Sequence, residues 1–194
     1  MVPYPERLLR CVLGLGLFGL GITFFIRADL GLAPWDVFYK GVSEKTDIAI
    51  GTVIIGVGAL LLLLWIPLRQ RPGIGTILNA IEIGLVVNLT KPLIGEPDHL
   101  VARVALMIAG LGVVGLGSAL YIGAGLGPGP RDGLMMGLAA RGYSIRLART
   151  GVEASVLGVG LLLGGSVGLG TVVFTFGIGP VVQRLLPLFA RTEG

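Results

Sequence analysis

Six apolar stretches of about 20 residues each restrict the folds that this sequence can adopt. They cover residues 8–28, 48–68, 74–94, 102–124, 146–164 and 170–190. The stretch 48–68 contains no charged residue, and a helix of about 20 such residues crosses a hydrocarbon core of ~30 Å. Because 54% of all residues are hydrophobic and only 13% are charged, the charges are too few to cover a soluble domain of this size. The sequence therefore predicts an all-α, multi-pass protein with the lipid bilayer as its first partner.

The second half of the sequence repeats the first half. An offset of 96 residues aligns Gly14–Gly41 with Gly110–Gly137 and gives 13 identities in 28 positions, where composition alone would give about three. After a one-residue gap the offset becomes 95, and the match continues to the third apolar stretch of each half. Each half has three such stretches, so the second half enters the membrane from the opposite side. We expect six transmembrane helices in two inverted three-helix repeats, 1–98 and 99–194, which together form one membrane domain.

The distribution of Lys and Arg predicts how the chain is oriented. With the N-terminus in the cytoplasm, the cytoplasmic segments carry ten of these residues and the outer segments carry five. The cytoplasmic set is Arg7, Arg10, Arg69, Arg71, Arg131, Arg141, Arg146, Arg149, Arg184 and Arg191, and the outer set is Arg27, Lys40, Lys45, Lys91 and Arg103. Basic residues accumulate on the cytoplasmic side, which predicts a bacterial plasma-membrane protein with both termini inside. The net charge of +4 therefore reflects orientation, and no nucleic-acid partner is expected.

A short helix is predicted after the first apolar stretch of each half. The two helices begin with Pro34-Trp35-Asp36 and Pro130-Arg131-Asp132, and proline at the first helical position with an acid two residues later is typical of a helix start. Two to three turns are too few to span a bilayer, so each helix lies at the surface or re-enters the membrane. The aspartates either favour the helix dipole or line a binding site.

Polar residues near and inside the later helices add further candidates. Thr76 and Thr171 follow Gly-rich turns, where a helix N-terminus can hold an anion or the threonine can simply cap the turn. Ionisable residues inside a membrane helix are costly and usually functional. Glu153 can pair with Arg149 four residues earlier, whereas Glu82 has no basic neighbour on its own helix and is the strongest single candidate for a proton or cation site. The predicted substrate-binding residues are Trp35, Asp36, Thr76, Asn79, Glu82, Arg131, Asp132, Glu153 and Thr171.

Catalytic and metal-binding motifs are missing from the sequence. It has no nucleophile-elbow, zinc-protease or phosphate-loop motif. With Cys11 as the single cysteine and His99 as the single histidine, neither a disulfide framework nor a Cys/His metal cluster can form. We therefore expect no enzyme activity, no cofactor and no bound metal.

Three motifs resemble the YczE/YyaS/YitT group of bacterial integral membrane proteins, and its YczE-like branch in particular. They are Ala28-x-Leu30-Gly31-x-x-Pro34-Trp35-Asp36-Val37, Pro72-Gly73-x-Gly75-Thr76-x-x-Asn79 and Gly129-Pro130-Arg131-Asp132-Gly133-Leu134-Met135. The resemblance covers nearly the entire chain. It implies a small multi-helix plasma-membrane protein that is commonly presumed to be a transporter, and it implies no particular substrate.

Three functions are compatible with these features. The first is a small secondary transporter or exporter of a small molecule, with its site near the midplane between the halves, because short helices at matching positions of two repeats are typical of such sites. The second is a substrate-binding membrane subunit that needs an energising partner, and the third is a non-transporting scaffold or assembly factor. Substrate charge stays open, since Arg131 and the Gly-Thr turns favour anions while Asp36, Asp132 and Glu82 favour cations. A homodimer is also an open arrangement.

Overall fold

A computed structural model describes residues 2–189, which contain eight α-helices, one short 3-10 helix and no β-strand. The helices are α1 (Tyr4–Ala28), α2 (Pro34–Thr46), α3 (Ile50–Leu68), α4 (Ile74–Thr90), a 3-10 turn (Lys91–Leu93), α5 (Leu100–Gly123), α6 (Pro130–Ala139), α7 (Ile145–Leu162) and α8 (Leu169–Phe189). The prediction of an all-α protein is confirmed. Arg191 from the charge count and residue 190 of the last apolar stretch lie outside the described residues.

Five helices of the described chain, and not the expected six, are long and apolar enough to cross a membrane. They are α1, α3, α4 with the 3-10 turn that follows it, α5 and α8. The predicted fifth stretch, 146–164, does form a helix of 18 residues, α7. However, Arg146, Arg149 and Glu153 lie in its first half, and three charged residues lower its mean hydropathy too far for an ordinary span.

The two short helices begin where the sequence predicts. α2 starts at Pro34 and α6 at Pro130, each with proline in its first turn. α6 has 10 residues, as expected for two to three turns. α2 has 13 residues and is about one turn longer than predicted, and Lys40 lies within 3.8 Å of Glu44 in that added length, a spacing that supports a helix.

The centre of the fold is the crossing of α1 and α5. Gly14 of α1 lies against Gly117 of α5, and Gly21 lies against Gly110. The order of these pairs shows that the two helices run antiparallel. A Cβ atom on Gly14 would lie 2.7 Å from the carbonyl oxygen of Gly117, so only glycine permits this approach. Small residues serve in this way where lipid supplies no hydrophobic force between helices.

Contacts between the two halves occur in equivalent pairs. Arg7 Nε donates to the carbonyl oxygen of Ala124 at 2.8 Å, and Arg103 Nε donates to that of Ala28 at 2.7 Å. Arg103 is the repeat equivalent of Arg7, and Ala124 is that of Ala28. The two contacts therefore join the same pair of positions with the halves exchanged. Each arginine therefore satisfies a carbonyl at the end of the other half's first helix.

The starts of α4 and α8 show the same exchange. The backbone N–H of Gly75 donates to Leu126 at 2.9 Å, and that of Gly170 donates to Leu30 at 2.7 Å. In each case the opening turn of one half's last helix binds the connector of the other half. Exchanged contacts of this kind are those that a two-fold relation between equivalent units produces.

One pair of equivalent helices breaks this pattern. α3 packs closely along α4, where Gly51 meets Gly84 and a Cβ atom on either would overlap the other's carbonyl oxygen. Asn88 strengthens this contact, since its side chain accepts from the N–H of Gly51 at 2.9 Å and donates to Thr52 at 3.0 Å. By contrast, α7 packs against α2 and α6 while α8 packs against α5, and within residues 2–189 α7 and α8 share no such packing. Residues of both helices instead line a common cavity.

Candidate functional site

A cavity of about 490 Å³ lies between the two halves. All eight α-helices contribute to its wall, and the lining is mostly apolar. Its polar side chains are Asn79, Ser118, Tyr121, Arg131, Asp132, Arg149, Glu153 and Gln183, together with the ring edges of Trp35 and Tyr39. Small-molecule sites typically have volumes of roughly 300–1,000 Å³ with a few convergent polar groups. The cavity is therefore the candidate site of this protein.

The first turns of α2 and α6 meet at this cavity. The connectors that lead to them turn at Gly31 and Gly127, whose φ angles are 105° and 121°, values that favour glycine. Trp35 and Arg131 occupy equivalent positions of the two repeats and face each other, with the guanidinium carbon 4.9 Å from the centre of the indole ring. Both helices thus direct their N-terminal ends, which carry partial positive charge, toward the same space.

Arg131 is held by aromatic faces on α2. Its guanidinium carbon is also 5.1 Å from the ring centre of Tyr39, and its Nε donates to the Tyr39 hydroxyl at 3.2 Å. Contacts of a cation with ring faces are attractive and fix the plane of the guanidinium. The side chain is 27% exposed, and its terminal nitrogens donate no hydrogen bond to any residue that the structure describes. Donors therefore remain for a ligand in the cavity.

Asp36 lies behind Arg131 and out of the cavity. Its side chain is only 5% exposed, and Oδ1 is 3.9 Å from Arg131 Nη2, which is too long for a hydrogen bond. Among the described residues, Oδ1 is a buried oxygen without a hydrogen-bond partner. Burial raises the pKa of Asp36 to about 6, and the Arg131 guanidinium acts in the opposite direction.

Asp132, unlike Asp36, lines the cavity. The carboxylate of Asp132, the hydroxyl of Tyr121 and the amide of Asn79 converge around Gly129, where a Cβ atom would lie 3.2, 3.1 and 3.5 Å from them. A side chain on Gly129 would therefore fill the space that these three polar groups share. The two aspartates, though equivalent in sequence, have different surroundings.

Glu153 and Arg149 lie where α7 borders the cavity. Arg149 Nε donates to Glu153 Oε1 at 3.0 Å, so the predicted pairing of these residues is confirmed. The Arg149 side chain is 63% exposed and that of Glu153 is 31% exposed. The pair therefore sits at the mouth of the cavity, on the side where α7 and α8 are apart.

Thr76 and Thr171 do not line the cavity. Thr76 Oγ1 accepts from the N–H of Gly73 at 3.1 Å and donates to the carbonyl of Pro128 at 2.7 Å. Thr171 Oγ1 accepts from the N–H of Gly168 at 3.2 Å. Both are helix caps, so the structure favours the simpler of the two interpretations of the Gly-Thr turns.

Glu82 differs most from its expected position. It lies on the face of α4 that packs against α1, with its carboxylate next to Gly16, and it does not line the cavity. Both helices belong to the first half, so Glu82 does not face the interface of the halves as predicted. Its role as a proton or cation site stays a prediction, without contact to the cavity.

Several site residues were not identified from the sequence. Tyr39, which holds Arg131, lies four residues after Trp35 and so on the same helix face, a signal that was available. Tyr121 is a polar aromatic inside a predicted membrane helix. Trp65 supports α6 from α3, since its Nε1 donates to the carbonyl of Pro130 at 2.9 Å and its ring lies against Gly133. Only the tertiary fold identifies that contact.

Comparison with known proteins gives a family and three relatives. Residues 5–187 match the model of a family of unknown function, DUF6198. An uncharacterized protein of Haemophilus influenzae is 40% identical over 178 residues, which cover 91% of this chain and 82% of the relative. In Bacillus subtilis, the uncharacterized membrane protein YczE is 30% identical over 172 residues (88% and 80%), and the uncharacterized protein YyaS is 26% identical over 186 residues (92% of each).

No solved structure matches the chain. The resemblance to YczE and YyaS that the three motifs indicate is confirmed. Together with the five apolar helices, the match to a membrane protein also confirms that this is a membrane protein with several apolar helices.

Proposed function

We propose that this chain, which belongs to the DUF6198 family, is a small secondary transporter whose substrate site is the cavity between two inverted repeats. The observation that carries the proposal is the difference between the two equivalent helix pairs that border the cavity. α3 and α4 are closed against each other, while α7 and α8 are apart. Alternating access in such folds arises when the two repeats exchange conformations around a fixed site.

The exchanged contacts support the inverted arrangement. α1 and α5 are equivalent helices that run antiparallel, so an axis that relates them is perpendicular to both and lies in the membrane plane. The paired contacts of Arg7 with Ala124 and of Arg103 with Ala28 obey the same relation. Six crossings then require α7 to span the membrane despite its three charged residues, which it can do because Arg146 lies in its first turn while Arg149 and Glu153 pair with each other and line the cavity.

The contacts of α2 and α6 favour re-entrant half-helices. Arg131 in the first turn of α6 meets α2 at the cavity, while Gly137 near its other end lies against Leu68, the last residue of α3. In the same way Gly41 of α2 lies against Gly165, just beyond the end of α7. Each short helix therefore runs from the cavity to one membrane surface, and irregular backbone at membrane depth is tolerated where it lines a cavity.

The orientation follows from the charge distribution. If both termini are cytoplasmic, the ends of α7 and α8 that carry Arg149 and Gln183 face the cytoplasm, and the open side of the cavity does so too. The contact of Gly51, Gly84 and Asn88 then closes the outer side. In this state the transporter faces inward, and no chemistry on the substrate is involved.

Reconstitution tests the proposal against the alternatives. We expect purified protein in liposomes to catalyse flux of some member of a panel of radiolabelled carboxylates, amines and amino acids without another protein. Tight binding without flux would indicate a substrate-binding subunit that needs an energising partner, and neither binding nor flux would indicate a scaffold. Either result would refute the transporter.

A disulfide between α3 and α4 provides a second test, with a matched control pair on the same protein. Thr52→Cys with Asn88→Cys, in a Cys11→Ser background, joins α3 to α4 when oxidised. We expect oxidation to stop flux and reduction to restore it. A pair of exposed cysteines at Thr46 and Ile48, outside the α3–α4 contact, should leave flux unchanged under both conditions.

A further inference from the structure

The geometry around Arg131 points to the ligand class and the coupling ion, and we propose that the cavity binds a small carboxylate at Arg131 together with a proton on Asp36. The inference rests on the proposed function for the identity of the site and deepens it. It predicts a proton–carboxylate symporter in which the two ligands bind cooperatively.

Arg131 has the features of a carboxylate-binding group. Trp35 and Tyr39 pack against its guanidinium, and Nε donates to the Tyr39 hydroxyl, so the edge that carries the terminal N–H groups remains for the cavity. That edge matches the two oxygens of a carboxylate, which bind it in parallel. The N-terminal ends of α2 and α6 add partial positive charge at the same point.

The rest of the cavity indicates the nature of the substrate's other end. Phe18, Ile83, Phe174 and Ile178 line it with apolar surface. A ligand that places its carboxylate on Arg131 therefore has an apolar group to bury. A monocarboxylate with an aliphatic or aromatic tail fits these surroundings better than a sugar or a polyanion.

Asp36 is the proton acceptor that such binding requires. Its carboxylate is the nearest anion to Arg131, yet it is 3.9 Å away and its Oδ1 has no hydrogen-bond partner among the described residues. A substrate carboxylate on Arg131 would put two anions around one guanidinium in a water-poor site, which is unfavourable. A proton that binds to Asp36 removes this repulsion.

The charges balance in both states. Without substrate, ionised Asp36 neutralises Arg131. With substrate, the proton neutralises Asp36 and the substrate carboxylate neutralises Arg131. Asp36, Arg131 and their bound ligands have a net charge of zero in each case. Neither state therefore leaves an uncompensated charge on this pair while the cavity opens to the other side of the membrane.

Other ionisable groups near Asp36 are few and are accounted for. α3 has none in its sequence. α2 itself adds Tyr39 and Lys40, and the Lys40 ammonium lies 3.4 Å from Asp29 and 3.8 Å from Glu44. α6 contributes Arg131 and also Asp132, which faces Tyr121 and Asn79. α7 contributes Arg149 and Glu153, which pair with each other at 3.0 Å. Asp132 would instead be the partner of an ammonium ligand, so binding of an amine would assign the opposite charge to the substrate.

Calorimetry in detergent tests the inference without any need for transport. Propionate, hexanoate and benzoate are titrated into the protein in two buffers of different ionisation enthalpy, with butylamine as the cationic comparison. We expect at least one carboxylate to bind and to take up about one proton near pH 7.5. The affinity should fall up to about tenfold per pH unit above the pKa of Asp36.

Single substitutions identify which side chains bind the carboxylate and the proton. Asp36→Asn imitates the protonated acid, so it should still bind the carboxylate, take up no proton and show no change of affinity between about pH 6.5 and 7.5. Arg131→Gln should abolish binding. The matched control is Asp47→Asn: Asp47 is exposed and has a φ of 56°, which asparagine tolerates, so binding and proton uptake should match those of the parent.

Four results would overturn the inference: binding of butylamine alone, no binding of any of the three carboxylates, binding without proton uptake, or loss of proton uptake in Glu82→Gln but not in Asp36→Asn. If Asp36→Asn does not fold, proton uptake by the parent and by Glu82→Gln still decides. Binding with proton uptake but without flux in liposomes would refute the transporter, and symport with it, but would leave the assignment of the carboxylate to Arg131 and of the proton to Asp36 intact, so the two failures are distinguishable.

Discussion

Replacing Asn88 by alanine should open the outer side of the cavity. Its side chain makes two hydrogen bonds across the α3–α4 contact, to Gly51 and Thr52. Hydrogen bonds between membrane helices contribute about 0.6 kcal/mol each on average and up to about 1.7, so the pair contributes about 1–2 kcal/mol to the closed state. A change of that size shifts the equilibrium about 5- to 30-fold toward the state in which α3 and α4 are apart.

Labelling of a cysteine in the cavity measures this shift. Ile54 of α3 is buried and lines the cavity, and the natural Cys11 is buried in α1 and can be replaced by serine. In intact cells, a membrane-impermeant maleimide should label Ile54→Cys slowly, and 5- to 30-fold faster when Asn88→Ala is added.

The control is Thr90→Val, which lies on α4 like Asn88→Ala but loses a hydrogen bond to α1 instead of α3. Thr90 Oγ1 is 2.7 Å from Thr23 Oγ1 on α1 and does not contact α3 through a hydrogen bond. Thr90→Val should therefore change the labelling rate less than twofold. Equal labelling rates with and without Asn88→Ala would refute the assignment of α3 and α4 as the outer gate.

Three further predictions concern stability. The pKa of Asp36 is raised to about 6, so the stability that it contributes is present below about pH 4, the usual pKa of an aspartate, and is lost as pH rises through 6. Melting temperatures at pH 5 and pH 7.5 should therefore differ less for Asp36→Asn than for the parent. An unchanged difference would contradict the raised pKa. Gly51→Val should abolish the monodisperse peak in size-exclusion chromatography, because the Cβ of the new side chain would overlap Gly84. Gly56→Val on the same helix should leave the peak unchanged, because a Cβ atom there has nothing within 4 Å. A normal peak for both variants would show that the α3–α4 contact is dispensable. Arg7→Gln and Arg103→Gln each remove two equivalent bonds from a charged donor to backbone carbonyls, worth about 1.5–3 kcal/mol apiece, and Arg103 also pairs with the exposed Asp29 carboxylate. Both melting temperatures should therefore fall, that of Arg103→Gln by slightly more, and an unchanged melting temperature for either variant would contradict equivalent roles.

Local signals in the sequence were sufficient to locate the helices. Pro34 and Pro130 mark the starts of α2 and α6 to the residue, because proline fixes its own φ and suits a first turn whatever surrounds it. Thr76 was harder to interpret. Whether its hydroxyl serves a ligand or the backbone depends on the carbonyl of Pro128, which is 52 residues away in sequence.

The position of Glu82 depended on packing that periodicity cannot supply. Asn79 and Ile83 line the cavity, and Glu82 precedes Ile83 by 100° around the helix. That rotation turns it toward α1. The lack of packing between α7 and α8 was equally beyond prediction, because it depends on how the helices meet in the tertiary fold and not on the sequence pattern of either helix.

The exchanged contacts described above have a consequence for the origin of the chain. Because Arg7 closes the end of α5 and Arg103 closes the end of α1, neither half completes its own helix ends, and two separate copies inserted in opposite directions would complete each other. Such an ancestral dimer of identical subunits would carry the same residue twice at the position now held by Trp35 and Arg131. Two arginines there would repel each other, and two tryptophans would bind no anion. With both copies in one chain, one position holds the ring and the other the charge, so the pairing at the centre of the cavity is a property that no symmetric dimer of identical subunits can have.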